Sequence, residues 1–196
     1  MTAPTVDYLT VMLANMAGGF AVLGAFFLWG LDTPRQSAFA PAFAAVGLVA
    51  LAMGLHMVLT WPMQSMGENN VRWTNIAFGE PAVLFGAAFA AAALACWRGG
   101  PLWPVGIYAA VVGLVAIVVG ARILHIGLTR SPAMSAAGFI LAGLAGLLTL
   151  LATLAPRWTA LRVLAAVPAF LAAALWGFTG IMAYWAHTHP DFAAKL

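Results

Sequence analysis

LWPVGIYAAVVGLVAIVVGARILHIGL, residues 102–128, is a long apolar run whose one charge, Arg122, lies in its last third. Crossing the hydrocarbon layer of a bilayer takes roughly 20 apolar residues in a helix, so this segment is long enough to span it. Gly106, Gly113 and Gly120 recur at every seventh position and form one stripe. Such a stripe lets two backbones approach closely where lipid removes the hydrophobic drive for association. The run reads as a transmembrane helix with a packed face.

Working outward, the chain holds five more runs of this kind, giving spans at 9–31, 41–61, 76–97, 102–128, 132–155 and 161–186. The breaks between them carry Pro, Gly or charge, as turns require, and most are short enough to force antiparallel neighbours. Composition agrees: 64% of the 196 residues are hydrophobic and 7% charged, against about 25% charged in soluble domains. Seven of the eight tryptophans lie at or near span ends, where an amphipathic ring is best placed; Trp176 alone falls well inside a span. The expected fold is all-α, a single membrane domain covering 1–196 with about six transmembrane helices, embedded in the lipid bilayer.

Several function classes drop out. The eight Lys and Arg are scattered singly, so no basic patch for nucleic acid is formed. No Gly-rich phosphate loop or hydrolase motif occurs, so nucleotide use and catalysis by the chain alone are not expected. The lone cysteine, Cys96, excludes an intrachain disulfide and a cysteine metal cluster. MTAPTVD, before the first run, has no basic n-region, so the first helix is expected to remain and direct insertion.

Six spans put both termini on one side of the membrane. Discounting Arg122, the loops on the far side hold Arg35, Arg98, Arg157 and Arg162 against Arg72, Arg130 and Lys195 on the terminal side. That bias predicts both termini outside.

Folding the spans also segregates the chemistry. All four histidines, every methionine and all acidic residues but Asp32 fall on the terminal side. At 1.5 Å per residue, His56 lies roughly 8 Å below Trp61 and Glu80 about 6 Å inside Ile76. Arg122 and His125 occupy the last turns of the fourth span. Ionisable groups at such depth usually face the bundle interior and pair. One reading is a structural network in which Glu80 pairs with Arg122 while His56 and His125 bond to carbonyls or to Asn15. Another is a metal site of His56, Glu80 and His125 with Met53 and Met57, which share a helical face. Imidazole with thioether favours copper, particularly Cu(I). Haem b, with His56 and His125 as axial ligands, is the less favoured cofactor. In the tail, His187, His189 and Asp191 alternate as in a loose surface metal binder.

Residues 75–81, NIAFGEP, carry a resemblance. Together with the Trp61–Pro62 pair, they resemble a prokaryotic family of multi-pass membrane proteins defined as a domain of unknown function. In that family a Trp-Pro closes one span and N-x-x-F-G-[DE]-P opens the next. The resemblance implies a bacterial or archaeal cytoplasmic (inner) membrane and supplies no activity. Physically, Pro81 suits a first helical turn, Glu80 sits at the positive end of the helix dipole, and Asn75 can act as a cap.

The functional expectation is an accessory, non-catalytic subunit. It would pack with other membrane subunits or as a homo-oligomer and carry a His/Met/Glu site. A redox protein and a small transporter are the alternatives. A transporter would need polar residues through both leaflets, and the far leaflet offers almost none.

Overall fold

The computed structural model describes residues 8–63 and 72–188. Six long helices make up most of them: α1 (Tyr8–Trp29), α2 (Ala40–Thr60), α3 (Glu80–Arg98), α4 (Trp103–Ile126), α5 (Pro132–Leu154) and α6 (Thr159–His187). All six are long and apolar enough to cross a membrane, and no strand occurs among the described residues. This is the all-α membrane bundle that the hydropathy pattern implies. A 3₁₀ turn, Gln36–Phe39, leads into α2, and a π-helical turn, Asn75–Gly79, leads into α3.

Helix ends follow backbone chemistry. Pro41, Pro81, Pro104 and Pro132 stand in first turns, where a missing N–H costs nothing. Gly99 and Gly127 end α3 and α4 at φ +63°, a left-handed conformation that glycine adopts without a Cβ clash. Trp61 takes the same role after α2 at φ +47°, directly before Pro62. The C-terminus of α1 is closed from a distance. Arg162, in the first turn of α6, donates from Nε to the Phe27 carbonyl at 2.6 Å and from Nη2 to that of Leu28 at 2.7 Å. These charge-assisted bonds satisfy carbonyls that a helix end leaves unpaired.

The helices form a closed ring in chain order, with α6 returning to α1. Within it, α4–α5, α2–α3 and α1–α6 are the most extensive contacts, and α3–α4 is the loosest of the six neighbouring pairs. The tight seams are built on glycine. A Cβ at Gly113 would sit 2.5 Å from the Gly143 carbonyl oxygen, and one at Gly143 equally close to that of Gly113. Between α2 and α3, a Cβ at Gly86 would meet the Leu51 nitrogen at 2.7 Å. The seven-residue stripe of α4 is thus used up against α5, inside the bundle. Elsewhere the interior is filled by phenylalanine, with Phe43, Phe85 and Phe89 in ring-to-ring contact.

Candidate functional site

At the terminal end of the bundle, methionines from α1, α2 and the segment after α2 meet. Met12 and Met57 are buried with Ala82, and Met53, Met63, Leu9 and Phe78 pack against them. The local sequence explains how. Met53 and Met57 are four residues apart on α2 and therefore share a face. Gly79 makes room for Met57, since a Cβ there would lie 3.2 Å from the Met57 Cβ. Met63 is held by Asn75, whose Oδ1 accepts from the Met63 N–H at 3.1 Å and whose Nδ2 donates to its carbonyl at 2.8 Å.

Asn75 thus clamps the backbone of Met63, on the segment after α2, to the start of the π turn. The π turn adds a residue to the helical circuit, a distortion often found where side chains must be re-aimed. Here it carries Asn75, Phe78 and Gly79 on one short segment. NIAFGEP thus organises the methionine cluster through packing and one amide.

The polar residues are distributed differently. His56, Glu80, Arg122 and His125 are all exposed. Thr60 Oγ1 donates to the His56 carbonyl at 2.7 Å and is hydrogen-bonded with His56 Nδ1 at 3.0 Å. Among the described residues, no three of His, Cys, Asp and Glu form a group that could hold a metal ion. Asn15 donates to the Val46 carbonyl at 3.1 Å and ties α1 to α2. His187 Nδ1 is hydrogen-bonded with Thr10 Oγ1 at 3.1 Å, joining the end of α6 to the start of α1. His189 and Asp191 lie outside the described residues.

Two adjoining apolar cavities open beside the cluster. The smaller, little more than the room one water takes, is lined by Met12, Met16, Phe78, Phe139 and Trp176 among others. The larger, partly open, is lined by residues of α1 to α5, and Met16, Pro81 and Phe139 line both. Sequence signals existed for part of this. Trp176 is the one mid-span tryptophan, and Met12 with Met16 repeats the four-residue spacing of Met53 with Met57. Nothing in the sequence marks Met63 as pinned by Asn75, since that bond joins residues across a connection.

A family model, described as "Protein of unknown function (DUF981)", matches residues 1–190. The chain belongs to this family. It is a DUF981 membrane protein with six long apolar helices among the described residues. No curated protein and no solved structure matches it. For this family member, functional assignment therefore rests on its own side chains.

Proposed function

We propose that this DUF981 protein is a non-catalytic membrane subunit with a soft-metal site at its methionine cluster, taking Cu(I). The observation that carries the reading is the gathering of Met12, Met53, Met57 and Met63 at one end of the bundle. Thioether sulfur is a neutral, polarizable donor that selects Cu(I) over harder cations. In this reading the thioethers are the donors; His56, Glu80 and His125 are exposed. The location fitting this reading is a prokaryotic inner membrane with both termini outside.

Anaerobic titration with Cu(I) against a competing chromophoric chelator tests the site. Met57→Leu keeps the volume of a core side chain and removes one sulfur, and should lower the affinity for Cu(I) at least tenfold. A Met57→Leu protein that is folded and holds copper as the parent does sinks the proposal. Short connections between most of the described helices support the subunit role. Migration with partner chains in native gels is the expected result, and a stable isolated monomer would count against it.

A further inference from the structure

Two opposite charges sit within the spans at the terminal end of the bundle, Glu80 in α3 and Arg122 in α4. Both are exposed, and neither has a side-chain hydrogen-bond or ion-pair partner among the described residues. Ionisable groups within a span usually pair. These two also stand at one level. α3 and α4 are consecutive antiparallel helices joined by residues 99–102. At 1.5 Å per residue, Glu80 lies roughly 27 Å from that turn and Arg122 roughly 28 Å.

Register fixes the side that each one faces. At 3.6 residues per turn, α3 turns Val83, Gly86 and Ala90 to α2 and Phe85, Ala88 and Ala92 to the larger cavity. Glu80 lies on neither side. It falls in line with Ala87, Ala91 and Leu94, and the last two are exposed. α4 divides in the same way. Gly106, Gly113 and Gly120 meet α5, and Val105, Val112 and Ala116 line the cavity. Arg122 falls in line with Val111 and Val118, both exposed. Both charges therefore project from the outside of the α3–α4 pair.

Arg122 has a long stem that can reach water, whereas Glu80 has a short one and is better served by a cation beside it. A second copy supplies that cation. A two-fold rotation about an axis along the membrane normal, passing between α3 and α4, sets each α3 against the other copy's α4. Such a contact is isologous, so a carboxylate that meets a guanidinium on one side does so again on the other. Ala87 and Ala91, four residues apart, give α3 the small face that lets helices approach closely in lipid. The contact also covers the loosest of the neighbouring helix pairs, beside the partly open cavity.

We infer that the chain forms a two-fold dimer through the outer faces of α3 and α4, in which Glu80 of each copy pairs with the partner's Arg122. The assignment rests on the subunit reading, for which it names a second copy as the partner, and is independent of the metal.

The test uses the full chain, labelled at its C-terminus with donor or acceptor fluorophores and reconstituted into phosphatidylcholine vesicles, with energy transfer reporting association. The parent should self-associate. Glu80→Arg sets two cations in each contact and Arg122→Glu two anions, and each variant alone should associate about a hundredfold more weakly. Mixing the two variants restores opposite charges in both contacts, so the mixture should associate as the parent does. A pair formed within one chain would not be rescued by mixing. Ala91→Phe adds bulk at an exposed position and keeps both charges. It should weaken association about tenfold, which keeps the test decisive if the charge variants do not fold. Unchanged association in folded single variants, or no rescue on mixing, overturns the dimer. A parent that associates whatever these charges are, or migrates only with other chains, overturns this interface and leaves the subunit reading standing. A parent that stays a stable isolated monomer counts against both.

Discussion

The α4–α5 seam and the α3–α4 contact share one helix, yet one is closed and the other is open. At the seam, glycine faces glycine: Gly113 and Gly143 leave no room for a Cβ on either side. Across the ring, α4 presents Val105, Ala109 and Val112 to a space that α3 lines with Phe85, Ala88 and Phe89. Rings there hold the helices apart, and the alanines beside them do not refill the gap. Small residues close an interface when they stand opposite each other and leave a cavity when they stand opposite rings. In lipid this matters more than in water, because close packing has no hydrophobic drive to assist it.

Adding bulk at the two places should have opposite consequences. The largest effect is expected for Gly113→Val, whose side chain meets backbone of α5. It should lower stability by about 3 kcal/mol, read as a fall in detergent unfolding midpoint. An unchanged midpoint would mean that the seam yields more easily than its backbone contacts imply. Arg162→Met keeps the apolar stem and removes both bonds to the Phe27 and Leu28 carbonyls. A loss of about 2 kcal/mol is expected, by the same measurement. Asn75→Leu releases the Met63 backbone N–H and carbonyl. It should cost about 1.5 kcal/mol and speed proteolysis in the connection after α2. The smallest effect is expected for Ala92→Leu, which adds volume beside the open contact. Its stability should change by less than about 1 kcal/mol in either direction. A loss as large as that of Gly113→Val would remove the distinction between closed and open interfaces.

Much of this was legible before any coordinates. Apolar runs, Pro-first starts and Gly stops place the helices, and the glycine period of α4 announces close packing. What α4 packs against was not legible, since a glycine stripe names no partner. The site shows the same division. The sequence groups soft and titratable residues at one end, and the methionines among them do meet. His56, Glu80 and His125 are exposed. Near a membrane boundary a polar tip can reach the headgroup region, so an outward position carries less penalty than depth along the span suggests.

The sequence by itself determined that the described residues form six long apolar helices and at which end the reactive residue types collect. Each of those depends on composition within a single segment. Which face of each helix turns inward and that α3 and α4 stay apart were decided only by the tertiary structure. A helix apolar on every side has no preferred face in lipid, and the choice falls to the steric fit of glycine against backbone and ring against ring.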